Sequence, residues 1–596
     1  MILKSNKKEQ INSTKKNTLA VNDSNDLNSE LYSLVEENNL SIYRFELNAT
    51  EAIIPEPIVI EWKVPAINVK GVWTPTADFS KRIKADWELE NYESRISIDA
   101  PVVSLFGAKD ENIISFSCSN AVNTVELSAK YREEDNHFYC KIVLFTECKY
   151  PVSNFAIDIR VDYQNIHFSE ALRQTSTWWE SYDELKPASV PDIAKKPLYS
   201  TWYQFHQDLD RQSLVSECKL AKELGFESII IDDGWQTNDN NRGYDYTGDW
   251  LPERFPDLGD MVKELKLTGM KVGLWYSVPF CGIKSKAYKK FKDMLLTTEH
   301  RWAPVFDPRY PEVRSHLLNI YLNAAEEWKL DGFKLDFIDE FKRYKDTSFE
   351  VDDRRDFSSI NSAVEYLLGE VITGLKKINQ NIFIEFRQKY TGPAIRKYGN
   401  MLRAFDCPGD YTMNRVRIAD LRMLSGKTAV HADMVTWHFD ETVENAALHY
   451  INTLFGVPQI SIMLNEAPKP HLEMIRFYTK YWNEKSNTLL AEDFTPKNPL
   501  ANYSLKLAES NNNLVVGIYD DVFVKLKTTY NSIDIINAKS SNEVVLIANE
   551  HLGNYQCKIF NCVGELIEET VVSLKTGASS IFVPKSGLLH MNFIEI

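Results

Sequence analysis

The sequence predicts a multidomain α/β protein: a central (β/α)8 barrel flanked by an N-terminal β-sandwich and a small C-terminal β-sandwich. Three observations predict it. The chain has 596 residues, too many for one hydrophobic core. Residues from about 40 to 195 read as strands without helical patterns between them. Apolar strands then alternate with helix-length segments to about 490, where short strands return.

Residues 1–30 are rich in Lys, Asn and Ser and are expected to be mobile. Over 31–195, segments such as "IVIEWKV", "TVELSAKY" and "FYCKIVLF" carry β-branched and aromatic residues separated by polar turns, which predicts the first sandwich. Over 196–494 the strand candidates are "LYSTWYQF", "ESIIIDDGW", "KVGLWYSVPF", "DGFKLDF", "NIFIEFR", "MLRAFD", "TAVHADMVTW" and "VPQISIML". Helical patterns such as "VRSHLLNIYLNAAEEWKL" and "AVEYLLGEVITGLKKI" lie between them, several ending in Gly or Asn. A closed barrel needs about 250 residues or more, which this stretch supplies. An open doubly wound sheet is the rival, but the Gly-rich phosphate turn after its first strand is missing. Residues 495–596, with "NLVVGIYD", "EVVLIANE" and "SSIFVPKS", predict the last sandwich.

Composition narrows the function. A net charge of −16 argues against nucleic acid or an anionic membrane as partner. No apolar run could span a bilayer, and the polar, basic N-terminus contains no signal-peptide core, so a cytoplasmic protein is expected. The eight cysteines form no CxxC pair and no zinc-spaced cluster; they read as reduced thiols. Thirteen tryptophans suit sugar stacking and a large core equally.

In a (β/α)8 barrel the chemistry collects at the C-terminal ends of the strands. The first strand offers Trp202 and Gln204, the second Asp232, Asp233 and Trp235, and the third Trp275 and Tyr276. Lys334 and Asp336 end the fourth, Glu385 and Arg387 the fifth, Asp406 the sixth, and His431 and Asp433 lie on the seventh. Each fragment has a plain structural reading: an ion pair for Lys334 and Asp336 or for Glu385 and Arg387, a turn for the double Asp, a braced loop for His431 and Asp433. Their convergence at one mouth favours a site in which carboxylates bind hydroxyls and indoles stack on a pyranose ring. Two carboxylates flanking a glycosidic bond are the apparatus of glycoside hydrolysis. Asp336 fits the nucleophile, with Lys334 two residues away on the same face to keep it ionised. Asp406, beside Cys407 and Pro408, is placed in a partly apolar setting that would favour the protonated acid.

In order and spacing, "STWYQF", "IIIDDGWQ", "GDWLPERFPDLGDMVKELKLTGMKVGLW" and "DGFKLDF" resemble glycoside hydrolase family 36, in the same clan as the family 27 α-galactosidases. The resemblance covers roughly 195–490. It implies retaining, exo-acting α-galactoside hydrolysis without a cofactor. By that resemblance Asp336 is the nucleophile and Lys334 binds sugar hydroxyls. Asp232 and Asp233 bind the axial 4-hydroxyl and the 6-hydroxyl, Trp275 lines the pocket, and Trp202 matches a tryptophan near the subsite mouth. The segment "RAFDCPGDYTMNR" departs from the common acid/base pattern; position favours Asp406, with Asp410 as the alternative. "EFRQKYTG" replaces the Cys/Gly-rich loop that faces the sugar 2-position, and Arg387 is placed to fill it. The rival readings are an α-N-acetylgalactosaminidase, a transglycosylase resembling raffinose synthases, and a sugar-binding protein without catalysis.

Overall fold

The computed structural model describes residues 7–10, 19–23, 28–88, 91–241 and 243–595. Two six-stranded sheets form the N-terminal sandwich. Alternation drives their packing: along Ile58–Pro65 the side chains of Ile58, Ile60, Trp62 and Val64 enter the core while those between them face outward. The mobile segment expected over 1–30 is corrected in part. Lys7–Gln10 and Ala20–Asp23 are strands at one sheet edge, and Leu19 and Val21 are buried in the sandwich core. The rest of that segment up to residue 27 lies outside the described residues. An unanticipated helix, Phe168–Glu180, follows the sandwich; Phe168, Leu172 and Trp179 join its packing to the barrel's core.

Eight parallel strands form the barrel in sequential order: β1 (Leu198–Ser200), β2 (Ser228–Ile231), β3 (Lys271–Ser277), β4 (Gly332–Asp336), β5 (Phe383–Arg387), β6 (Met401–Arg403), β7 (Ala429–His431) and β8 (Gln459–Ile460). β8 pairs with β1, and single parallel bridges from His431 to Val457 and Val435 to Ile460 complete the closure. The longer helices outside are α1 (Arg211–Glu223), α2 (Leu258–Leu267), α3 (Pro311–Glu327), α4 (Ile360–Ile378), α5 (Tyr411–Arg422), α6 (Val443–Ile451) and α7 (Lys469–Leu489), with a short helix, Lys286–Phe291, between β3 and β4. Between β5 and β6 the described chain has only a 3-10 turn, Ile395–Lys397. The predicted first strand is shorter than its alternation suggested: it stops at Ser200, and Trp202–Phe205 form a helical turn.

Small residues set the barrel's interior. A Cβ on Gly332 would lie 2.2 Å from the Phe383 ring, and one on Gly273 2.7 Å from it, so the two glycines make the space that this ring fills. The C-terminal unit packs a seven-stranded sheet against a three-stranded one around its own core. Asp420 on α5 ties all three units together. It accepts hydrogen bonds from Trp73 Nε1 at 2.8 Å and Lys81 Nζ at 2.9 Å of the first sandwich, and from the Tyr503 hydroxyl at 2.5 Å of the last.

Candidate active site

The strand ends meet as the barrel register requires. Lys334 pairs in register with Trp275 on β3 and Glu385 on β5, and Asp336 with Ser277 one layer higher. This two-residue step lifts Asp336 to the rim of the strand while Lys334 stays a layer down. Beyond Asp336 the chain leaves the strand through Phe337 at φ 63°, a left-handed conformation costly for a bulky residue. That turn aims the Phe337 N–H back at Asp336 Oδ1, 2.7 Å away.

Asp336 sits in a ring of donors. Arg387 Nε donates to Oδ1 at 2.6 Å and Trp275 Nε1 to Oδ2 at 2.9 Å; the Tyr390 hydroxyl lies 3.4 Å from Oδ1. Burial works to raise the pKa of this carboxyl. The charges of Arg387 and then Lys334, with the Trp275 bond, outweigh it and hold Asp336 well below the usual carboxylate range. The expected guardian was Lys334. Its direct partner is instead Asp232 Oδ2, at 2.6 Å, and Lys334 acts on Asp336 only through space. Arg387, expected to face the sugar 2-position, is engaged by Asp336 and also by Asp339 at 3.3 Å.

Burial raises the pKa of Asp232, with Lys334 opposing it. Burial pushes Asp233 further, up to about 7. Both Asp233 oxygens are met by amides, Gln207 Nε2 at 2.7 Å and Gln236 Nε2 at 2.6 Å. Gly234 makes this possible. Its φ of 121° and the 2.7 Å from its would-be Cβ to Gln207 Cα admit no side chain there.

Arg403, at the end of β6, gathers three carboxylates: Asp406 through Nη2 at 2.8 Å, Asp433 through Nη1, and Glu385 at 3.4 Å from Nε. Asp406 stands at the rim with 42% of its side chain exposed. Its partial burial pulls its pKa upward, but the Arg403 guanidinium, aided by Lys334 and Arg387, carries it below the ordinary value. Contrary to the expectation from the sequence, the setting does not favour the protonated form; the arginine beneath Asp406 decides. Asp410 caps the N-terminus of α5, accepting from Met413 N–H at 2.8 Å. Asp433, pushed up to about 6 by burial, accepts from the Tyr203 hydroxyl and the Cys407 N–H, both at 2.7 Å, and so braces the loop that carries Asp406. Glu385 does not pair with Arg387; it accepts from Gln459 at 2.6 Å. Trp202 is half-buried, its ring edge-on to His206, and none of its described contacts reaches the carboxylates.

Sequence reasoning passed over several residues. Tyr244, from the loop after β2, packs its ring on Phe280 at 5.2 Å, Phe337 at 5.3 Å, Trp302 at 5.8 Å and Trp275 at 6.1 Å, forming an aromatic wall over Asp336. Burial and then the charges of Asp233, Asp336, Asp232 and Asp406 keep its hydroxyl protonated. Among the described residues no group of three or more His, Cys, Asp or Glu side chains is arranged to hold a metal ion. No described helix is long and apolar enough to cross a membrane.

A (β/α)8 barrel between two β-sandwiches, with carboxylates, arginines and indoles collected at one mouth, is similar in architecture to a class of glycoside hydrolases. Within that class the chain resembles the α-galactosidases of glycoside hydrolase family 36. The melibiase family model matches residues 183–370. α-Galactosidase Mel36A of Lactobacillus acidophilus is 24% identical over 184 residues, 29% of this chain and 25% of that protein. α-Galactosidase AgaA of Geobacillus stearothermophilus is 28% identical over 133 residues, 21% of this chain and 18% of that protein. The aligned stretch thus spans a quarter or less of these relatives' length. Similarity of fold extends further. The α-galactosidase structure from Lactobacillus brevis superposes with a TM-score of 0.63 at 14% identity, covering 99% of this chain and 84% of that one. A variant of AgaA in complex with raffinose gives 0.66 at 12% identity, covering 97% and 83%.

Proposed function

We propose that the chain is a retaining, exo-acting α-galactosidase of the cytoplasm, acting on small carbohydrates by double displacement without a cofactor. The observation that carries this reading is Asp336: a carboxylate at the end of β4 held ionised at the barrel mouth by Arg387, Lys334 and Trp275. Three donors crowd its Oδ1, whereas Oδ2 has one, the Trp275 indole. Oδ2 is therefore the oxygen free to form the bond to the anomeric carbon as the bond to the leaving oxygen breaks. Asp406 gives its proton to that leaving oxygen. It then takes a proton from the water that cleaves the glycosyl ester and returns Asp336 as the carboxylate. Asp406 begins the cycle only in the fraction of molecules that carry its proton, which the Arg403 charge reduces. Asp410 is the weaker candidate, since its carboxylate is committed to the helix cap.

Lys334 and Asp232 form the floor that binds glycone hydroxyls, as in the family's motif, with Asp233 held behind them by two glutamines. Trp275 and Tyr244 supply the wall, and Trp202 is placed toward the mouth. Relatives named as α-galactosidases, and the raffinose found in a structure of similar fold, support the choice of glycone. A panel of nitrophenyl glycosides (α-galactoside, α-N-acetylgalactosaminide, α-glucoside, β-arabinoside) tests it. The α-galactoside should be cleaved fastest. Preference for the acetamido sugar would replace the glycone, transfer to added sugar acceptors would replace hydrolysis, and no cleavage of any would leave a binding protein.

A further inference from the structure

A cleft of about 220 Å³ lies where the N-terminal sandwich meets the loop after β4, and none of the barrel-mouth carboxylates lines it. One part of its lining is aromatic. Phe145, Phe155 and Tyr150 come from the sandwich and Phe349 from the barrel loop, and all four rings are half-buried. Phe145 and Phe155 meet edge to face at 4.7 Å. The other part is neutral and polar. Asn123 Oδ1 accepts from the Tyr150 hydroxyl at 3.3 Å and Asn120 Oδ1 from the Asn123 backbone N–H at 3.1 Å, but the side-chain Nδ2 atoms of Asn120 and Asn123 have no acceptor among the described residues. Asn361 Nδ2 donates to Thr124 at 3.4 Å, while its buried Oδ1 has no partner.

The charges of the cleft are mostly spent within the protein. Glu147 accepts from Thr124 at 2.9 Å and lies 4.0 Å from Arg95; Lys342 pairs with Glu340 at 2.8 Å. Only the exposed Arg343 makes no ion pair among the described residues. A phosphate or carboxylate site needs several unspent cations converging on one point. Phe349 is already flanked by the Arg309 guanidinium at 5.0 Å and the Arg343 guanidinium at 5.7 Å, which leaves Phe145, Phe155 and Tyr150 as the half-buried rings to stack on. Unspent side-chain amides beside such rings suit a different ligand, one that alternates hydroxyls with an apolar face. The volume is below the roughly 300–1,000 Å³ of drug-sized sites and suits a single ring.

We propose that this cleft is a second carbohydrate site, which takes one neutral sugar ring stacked on its aromatic wall and hydrogen-bonded by Asn120 and Asn123. A path of contacts leads from it toward the barrel mouth. Arg95 Nε donates to Ser97 Oγ at 3.0 Å, and Ser97 Oγ to the Phe341 carbonyl at 3.2 Å. Two residues before Phe341, Asp339 holds Arg387, and Arg387 holds Asp336. A sugar in the cleft thus clasps the sandwich to the loop that braces Asp336.

The proposal rests on the galactosidase reading only for the probe, galactose, titrated calorimetrically into the full chain. Two binding events are expected. Asp232→Ala should remove the barrel event and keep the other. Asn123→Ala with Tyr150→Ala should remove the cleft event and leave nitrophenyl-galactoside turnover unchanged; Phe349→Ala on the opposite wall should do the same, and decides if the double variant has a lowered Tm. A single event, lost in Asp232→Ala and untouched by the cleft variants, would overturn the proposal. Binding of galactose 6-phosphate in the cleft without binding of galactose would overturn the neutral ring. Galactose bound in the cleft alone would instead leave the second site standing and remove the galactosidase reading.

Discussion

Arg387 Nε stands 2.6 Å from Asp336 Oδ1, and the same guanidinium reaches back to Asp339 at 3.3 Å. A buried arginine shared between two carboxylates does two things at once. It keeps Asp336 charged inside a site that would otherwise protonate it, and it occupies the end of β5 at the barrel mouth.

The first prediction concerns that charge. On the proposed mechanism Asp336 must be ionised to attack, and its depressed pKa keeps it so even in acid. Arg387→Met removes the largest opposing charge and lets burial raise the pKa. The acid limb of kcat/KM, where activity falls as pH falls, should therefore move to higher pH in the variant. An unshifted limb with lowered turnover would assign Arg387 to shape alone.

How much of this was legible follows from what repeats. Lys334 and Asp336 sit two apart on a short apolar strand, and period two places both inside the barrel whatever the rest of the chain does. The partners of that pair were not legible. Arg387 and Asp232 come from strands far apart in sequence, and nothing local says that Lys334 turns to Asp232 rather than Asp336. Arg403 in "MLRAFD" carries no local sign of its role; barrel closure is what buries it among three acids. Tyr244 lies in an aperiodic loop whose return over the mouth has no sequence signature. The helical turn at Trp202–Phe205 was missed because "LYSTWYQF" has strand propensity throughout, and tertiary context overrode it.

The second prediction separates charge pairing from sugar binding. Asp232→Ala leaves the Lys334 ammonium buried without its partner, a loss of about 3–5 kcal/mol. Asp232→Ala with Lys334→Met removes both charges and should recover much of that stability in urea unfolding, while neither variant regains activity on a galactoside. Recovery of activity with stability would make the pair structural.

Asp420 offers a third test, remote from the chemistry. Its carboxylate meets Trp73, Lys81 and Tyr503 from two flanking units, all buried. Asp420→Ala strands Lys81 and should cost about 3–5 kcal/mol. Adding Lys81→Met should restore part of the Tm. Folded molecules of the double variant should keep wild-type KM, since no atom of the mouth has changed.

Asp336→Ala should abolish turnover in molecules that remain folded, at some cost in Tm, since Arg387 loses its 2.6 Å partner and keeps only Asp339 at 3.3 Å. Azide added to that variant should fill the space of the lost carboxylate, restore partial activity on an activated aryl galactoside, and yield the β-galactosyl azide, identified by NMR. Near wild-type activity without azide would remove Asp336 from the nucleophile's role.

The acid/base assignment divides Asp406 from Asp410, and leaving-group dependence separates them. A leaving group that departs poorly needs the proton, so Asp406→Ala should lose about 10²–10⁴ on an alkyl galactoside and far less on an activated aryl one. Asp410→Ala should lose helix-cap stability, about 1 kcal/mol, and little else. The pH profile adds a sign. The acid works protonated, and Arg403 holds the pKa of Asp406 below its ordinary value, so kcat/KM should already be falling as pH rises through the acidic range. That basic limb should vanish in Asp406→Ala with the activated substrate. If Asp410→Ala shows the leaving-group dependence and Asp406→Ala does not, the two aspartates exchange roles, and the Arg403 pair becomes a brace for the loop rather than a control on the proton.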